Sequence, residues 1–358
     1  MITQIISNNK YTVLGVMSGT SVDGLDLALT EFQYHNSNLK FEIIKAQTIE
    51  YNKLWHDRLK KSHLLSAPDL TQLHVDFGKH IGNSINDFLR QTAVKPQLIC
   101  SHGHTVFHNP SKSYTLQIGD GASIAAVTQI PVVCDVRTSD VAYGGQGAPL
   151  VPIGDKLLFR EYGFCLNIGG FSNISYTKND KTIAFDIVPA NIVLNYLAGF
   201  LDLPYDKDGN IAKSGTIDNE LLQKLNNLSY YKAEPPKSLG REWVEENILP
   251  LINSSKISIA DKISTYTEHI AIQISKILNK KNEKCLITGG GAFNKHLIEK
   301  IKQYSATEVI LPDKNIVNYK EALIFALLGL LRWQKTPNCL PSVTGATKAA
   351  IGGAMYLP

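Results

Sequence analysis

VLGVMSGTSVDGLDLAL, residues 13–29, decides how the N-terminal half of the chain is read. An apolar run enters a turn of Ser, Gly, Thr and Asp, beyond which Leu25, Leu27 and Leu29 alternate with Asp26 and Ala28. Period two marks a strand, so the chain goes strand, turn, strand, and the polar loop is the tip of a β-hairpin. Glycines let backbone N–H groups converge on an anion, which makes such a loop a candidate phosphate cradle. Two familiar cradles are excluded: no lysine follows Gly24 as a Walker loop requires, and no helix opens there as the dinucleotide fingerprint requires. Taken alone, the stretch reads as an ordinary hairpin with a polar turn.

A second copy changes that reading. FCLNIGGFSNISYT, residues 164–177, is again an apolar strand, a Gly169-Gly170 turn and a resumed alternation. A third glycine cluster, CLITGGGAFN at 285–294, follows an apolar strand and precedes the helical pattern HLIEKIKQY, so here Gly289, Gly290 and Gly291 open a helix. Two hairpins, one per half, with a late glycine turn predict two related α/β domains closing on a nucleotide. Each hairpin would hold one side of the phosphates, and the glycine turn would admit the adenosine end.

The remaining periodicity agrees. Strands are predicted at 25–32, 41–49, 97–101 and 131–137, and helices at 54–61 and 69–89. YGGQGAPLVP, residues 143–152, is a Gly- and Pro-rich loop suited to a domain junction. The domains are drawn at 1–135 and 136–358, with the C-terminal segment able to pack back on the first.

The chain has 358 residues, 44% hydrophobic and 19% charged, enough for two domains of ordinary soluble composition. Lys plus Arg number 36 against 32 Asp plus Glu, and the basic residues are scattered, which points away from nucleic acid and membrane surfaces. Five cysteines, 100, 134, 165, 285 and 339, lie far apart without a C-x-x-C pair and read as reduced core residues of a cytoplasmic protein. The N-terminus carries no signal-like pattern, and ALIFALLGLL at 322–331 is about half of the ~20 residues a membrane span needs.

Several short motifs then coincide: GVMSGTSVDGLD (15–26), SHGHT (101–105), LQIGD (116–120), GGQGAPLVP (144–152), LNIGGFSN (166–173), YDKDG (205–209), PKSLGRE (236–242), TGGGAFN (288–294) and VTGA (343–346). On these, the chain resembles the anhydro-N-acetylmuramic acid kinases over nearly its whole length. These are bacterial enzymes of peptidoglycan recycling with two actin/hexokinase-like (ribonuclease H-like) α/β domains around a nucleotide cleft. MSGTS-x-DG-x-D and GGQGAPLVP are specific; the glycine clusters singly are weak.

The resemblance implies ATP-dependent opening of the 1,6-anhydro ring and phosphorylation of O6, in a cytoplasmic homodimer. It places ATP against Ser18, Gly19, Thr20, Ser21, Val22, Asp23, Gly24 and Leu25, with Gly169, Gly170, Gly289, Gly290 and Gly291. Mg²⁺ would travel with ATP, beside Asp23, without a protein metal site of its own. It further implies His104, Thr105, Arg137 and Asn191 at the sugar, Asp186 as the base and Glu321 as a second active-site acid. Independently, ring opening needs a base to deliver water to the anomeric carbon, and phosphoryl transfer needs a charge-neutralised, in-line phosphate.

The family's D-T-G-P-G-N reads DIVPAN here, residues 186–191. Ile187 and Val188 are β-branched, and Ala190 replaces a glycine, so none readily takes a positive φ. The departure predicts altered sugar fit, slower chemistry or a shifted loop. It leaves open a hexokinase- or acetokinase-like kinase of another small substrate, and an inactive nucleotide-dependent binding protein. His104 stands for the usual Gln, and Leu239 for the usual Thr. Asp186 could otherwise be a strand-end cap and Glu321 a helix N-terminal acid. His102, His104 and His108 lack a Cys or carboxylate to complete a metal set, and YDKDGN places its glycine too early for a calcium loop. Arg137 and Arg241 are each read equally as a partner of the sugar's carboxylate or as half of a surface ion pair.

Overall fold

The computed structural model describes residues 10–19, 22–35 and 38–358. Thr20 and Ser21 of the expected cradle lie outside the described residues. The chain divides into two compact units, one of Met1–Leu158 with Tyr319–Pro358 and one of Phe159–Asn318. The division thus falls after residue 158 rather than 135. GGQGAPLVP does not separate the units, because its last two residues begin a helix, Val151–Leu158, that belongs to the first.

In the first unit, β1 (Lys10–Ser18), β2 (Gly24–His35) and β3 (Asn38–Glu50) form an antiparallel meander. β4 (Leu98–Ser101) adds parallel to β1. A separate two-stranded ribbon follows, β5 (His104–Asn109) and β6 (Tyr114–Ile118). β7 (Val132–Cys134) then continues the main sheet parallel to β4. In the second unit, β8 (Phe164–Ile168), β9 (Phe171–Lys178) and β10 (Lys181–Pro189) repeat the meander. β11 (Lys284–Thr288) and β12 (Glu308–Ile310) add in parallel. β13 (Ala354–Tyr356) caps the first sheet beside β7.

The orders β3-β2-β1-β4-β7 and β10-β9-β8-β11-β12 are the same path traced twice. That is the paired α/β organisation expected from two hairpins, although the sequence carries no short-period repeat.

Alternation along β1 divides its neighbours. Leu14 and Val16 join Phe77, Ile81, Ile85 and Phe88 of the long helix Ala67–Leu89 in one core. Gly15 therefore faces the other side of the sheet. There a Cβ would overlap Ala322 O and lie 2.7 Å from Ala326 N, so the helix Lys314–Trp333 rests its backbone on the strand. Gly329 repeats the device: its Cβ would lie 2.5 Å from Cys100 Cβ. ALIFALLGLL is apolar all round because it is buried all round.

The second core gathers around the helix Ile259–Ile277, whose Tyr266 hydroxyl donates to Pro189 O at 3.0 Å. Ile187, Val188 and Ala190 of DIVPAN lie in this core, at 3%, 0% and 0% exposure, and none has a positive φ. β10 instead bulges between Asp186 and Val188, which absorbs the residue change without glycine. A glycine conformation is not required there, and the β-branched residues fit the backbone as it runs. None of the five cysteines is in a disulfide, and four are buried. Among the described residues no helix is long and apolar enough to cross a membrane.

Two predictions follow from this packing. Gly15→Val lowers stability by at least about 3 kcal/mol, the top of the usual range for overpacked sites, because helix backbone cannot yield as a side chain would. Gly199→Ala, with open space around it, stays within about 0.5 kcal/mol of the parent; equal urea midpoints for both variants would contradict the packing. Val188→Gly with Ala190→Gly restores the family's glycines yet loses roughly 2–5 kcal/mol through the cavity left at Val188. An unchanged urea midpoint in that double variant would show that Val188 contributes nothing to this core.

Candidate functional site

The first unit carries the hairpin tip. β1 and β2 pair from Lys10↔Gln33 to Ser18↔Leu25, and Val22 N–H closes the turn on Gly19 O at 3.3 Å. Val22 and Leu25 are buried in the core, so of these two only the backbone is available to an anion. Ser18 is buried as well, and its Oγ accepts the Tyr51 hydroxyl at 2.9 Å. Gly24 has a reason of its own, since a Cβ would lie 2.7 Å from Ile49 O on β3. Asp23 is exposed at the tip.

Behind the tip stands Asp26, whose Oδ1 accepts Thr48 Oγ1 at 2.6 Å. Burial holds its pKa above the ordinary value, the Thr48 bond opposing and the Asp23 charge adding. Glu321 feels the same cluster: the protein packed around it raises its pKa, Asp26 raises it further, and Arg137 and Lys320 pull it down. Its surface remains solvent-accessible, so it is a crowded but reachable carboxylate. It lies inside the helix Lys314–Trp333 rather than before it, past the first turn where the helix dipole would account for an acid. Lys320, beside it in sequence, is spent in a buried 2.7 Å ion pair with Asp155.

SHGHT turns sharply from β4 to β5 at Gly103, whose φ is +72°. His104 is buried, its Nδ1 lacks a hydrogen-bond partner among the described residues, and burial lowers its pKa against the opposing pull of backbone groups of Leu59 and Gly19. It therefore sits beside the hairpin tip. Thr105 Oγ1 accepts Gln117 Nε2 at 3.3 Å. Arg137 is partly buried and close enough to Glu321 for each to feel the other's charge. Arg241, by contrast, is exposed and bonds Glu245 at 3.2 Å, a surface pair one helical turn apart.

The second unit holds Asp186 on β10, just before the bulge. Leu239 N–H donates to its Oδ2 at 2.9 Å, and Asp186 N–H donates to Lys237 O at 3.3 Å. Tyr230 donates its hydroxyl to the Asp186 carbonyl at 2.6 Å. PKSLGRE thus clamps the aspartate through main-chain atoms, which is why Leu in place of Thr at 239 leaves the bond intact. Burial holds the Asp186 carboxyl above the ordinary aspartate value and the Leu239 bond opposes it. Half-buried, fixed and less acidic than a surface aspartate, it is suited to accept a proton.

Gly169 and Gly170 cap the β8–β9 hairpin and give their carbonyls to the start of the helix Asn191–Gly199: Asn191 N–H to Gly169 O at 3.1 Å, Ala190 N–H to Gly170 O at 2.8 Å. Gly289, at φ +84° with a Cβ that would lie 2.5 Å from Asn167 Oδ1, can only be glycine. Gly290 differs, because its Cβ would meet nothing nearer than Asn191 Nδ2 at 3.8 Å. It faces a cavity of about 370 Å³ lined by Asn191, Tyr205, Asp206, Gly290, Phe293 and Asn294 among others. Asn191, expected at the sugar, is thus grouped with the glycine turn expected at the adenosine.

Tyr205, Asp206, Phe293 and Asn294 were within the quoted motifs YDKDG and TGGGAFN, but nothing in sequence gave them a place. Asp206 is occupied in accepting Ile211 N–H at 2.9 Å and Ala212 N–H at 3.0 Å. Among the described residues no group of three His, Cys, Asp or Glu could hold a metal ion.

The family model described as anhydro-N-acetylmuramic acid kinase matches residues 11–358. The chain is 36% identical to the anhydro-N-acetylmuramic acid kinase of Shewanella pealeana, covering 98% of this chain and 99% of the relative. It is 34% identical to that of Pseudomonas syringae pv. syringae, covering 97% and 99%. Among solved structures, the (R)-2-hydroxyglutaryl-CoA dehydratase component A of Acidaminococcus fermentans superposes with a TM-score of 0.47 at 12% identity, over 91% of this chain and 98% of that one. With that family model matching residues 11–358 and relatives 34–36% identical over nearly the whole of both chains, the chain belongs to the anhydro-N-acetylmuramic acid kinase family.

Proposed function

We propose that this kinase opens 1,6-anhydro-N-acetylmuramic acid with water and phosphorylates the released O6, giving N-acetylmuramic acid 6-phosphate and ADP. The observation that carries the mechanism is Asp186: a carboxylate fixed by a main-chain N–H, clamped through its own backbone, and kept from being too weak a base by burial. It takes a proton from water as the oxygen bonds to C1, the C1–O6 bond breaks, and O6 takes the γ-phosphoryl in line as ADP leaves.

The first unit supplies the hairpin backbone at 18–25 for the phosphates, with His104, Thr105 and Arg137 for the sugar. Glu321 is the second acid, its pKa held above the ordinary value by burial and by Asp26 against the pull of Arg137 and Lys320. The second unit supplies Asp186, the carbonyl-capped turn Gly169-Gly170, and the cavity beside Gly290 for the adenosine. Asn191, which lines that cavity, belongs in this reading to the nucleotide rather than the sugar.

Mg²⁺ is implied by the chemistry. It keeps water and phosphate oxygens and needs only one or two carboxylates, so exposed Asp23 fits a cation that arrives with ATP. When bound it would neutralise phosphate charge. The burial of four of the five cysteines accords with a reducing cytoplasm, and the family resemblance with a homodimer.

A positioned base supplies about 10² to 10⁴ in rate, so Asp186→Asn should lower kcat for the anhydro sugar at least about 100-fold while the Kd for ATP barely moves. The deprotonated form is the active one; kcat/KM should therefore fall as pH drops through the Asp186 pKa, on a limb lying above the ordinary 3.8. That limb should be absent from the residual activity of the variant. Near-normal kcat in folded Asp186→Asn removes the base from Asp186.

A further inference from the structure

Arg137 is held from two sides. Its Nε–H donates to His102 Nε2 at 3.0 Å, and its Nη1 donates to the Gly147 carbonyl at 2.8 Å. Each holder is itself immobilised. His102 is 4% exposed, its backbone N–H donates to Val16 O at 2.9 Å, and its ring lies 4.8 Å from that of Phe325. Its Nδ1 donates to the Gly103 carbonyl at 2.8 Å, which leaves Nε2 as a bare acceptor. Burial and the Arg137 charge hold the ring's pKa at about 3, which keeps it neutral, and the Gly103 carbonyl sets which nitrogen keeps the proton.

On the other side, Gly147 N–H donates to Asp140 Oδ2 at 2.8 Å, and Asp140 Oδ1 accepts Thr344 Oγ1 at 2.8 Å. Asp140 is fully buried. Gly147 has φ +65°, and a Cβ there would lie 2.7 Å from Val141 Cγ2, so the loop accepts no side chain at the position that meets Arg137. GGQGAPLVP and VTGA are thereby tied to one carboxylate.

A guanidinium has five N–H donors in a planar fork. His102 takes one and Gly147 another, and together they forbid rotation of the plane. We propose that His102 and Asp140 are positioning residues that lock the Arg137 fork and turn its free edge toward the carboxylate of the sugar's lactyl group. A fork already fixed binds a planar carboxylate without a further loss of side-chain freedom. The inference rests on the reading of Arg137 as a sugar-binding residue.

The test uses the full chain, titration calorimetry, and two sugars: 1,6-anhydro-N-acetylmuramic acid and 1,6-anhydro-N-acetylglucosamine, the same bicyclic amino sugar without the lactyl ether. His102→Phe keeps a flat ring and removes the acceptor; Asp140→Leu keeps size and removes both acceptors from Gly147 N–H and Thr344. Each should raise the Kd of the acidic sugar about tenfold or more, the scale of a lost bond to a charged group. The Kd values of the neutral sugar and of ATP should change less than about twofold on that scale. His102→Gln, which can still accept from Nε, should recover most of the loss. Parallel weakening of both sugars in folded variants, or an unchanged acidic sugar, overturns the lock. Arg137→Ala separates the two layers: if it leaves the acidic sugar's Kd unchanged, the reading of Arg137 itself fails. If it weakens that sugar while His102→Phe and Asp140→Leu do not, only the lock fails.

Discussion

The missing side chain at residue 15 sets the first unit. Because β1 carries no Cβ there, the helix Lys314–Trp333 lies with its own backbone against the strand, and Gly329 on Cys100 brings the next turns equally close to β4. The helix carries Glu321 and packs Phe325 on His102; β1 carries the hairpin tip and gives Val16 O to His102 N–H. One close approach of helix and strand thus fixes Glu321, the histidine behind Arg137 and the hairpin tip in a single frame. A bulkier residue at 15 would move all of them together, which is a stronger constraint than any one hydrogen bond in the site.

The second unit solves a different problem, that of keeping a carboxylate half out of water without neutralising it. Burial favours the protonated form of Asp186, and the Leu239 N–H favours the ionised one. A general base needs this balance, since a fully solvated aspartate is too acidic to draw a proton and a fully desolvated one would not ionise. The bulge at 186–188 turns the strand there while Ile187 and Val188 remain in the core. The glycine-poor DIVPAN segment is therefore a well-packed version of the loop.

Much of the fold was legible because hairpins and long amphipathic helices leave strong periodic marks. β1, β2 and β3 and the helix Ala67–Leu89 start and end within a few residues of their expected positions. The unit boundary was misplaced at 135 because Pro152 looks like a loop residue, whereas proline is welcome in the first turn of a helix. At DIVPAN the loss of glycine alone predicts altered sugar fit, slower chemistry or a shifted loop; a β-bulge, which depends on the partner strand, has no local signature. The site was legible as motifs but not as roles. His102 and Asp140 act only through the groups they touch, and those touches join segments as distant as VTGA and GGQGAPLVP. Gly24 and Gly290 look alike in sequence, yet one is required by a neighbouring strand and the other opens on a cavity.

The account stands on Asp186 activating water at the anomeric carbon, with the phosphate going to the sugar's own O6. Reaction in ¹⁸O-water, with the sugar phosphate analysed before its anomeric oxygen exchanges, reads this directly. The label should appear at C1 and be absent from the ester oxygen that bridges C6 and phosphorus. An unlabelled C1, or label in the bridging oxygen, would contradict it.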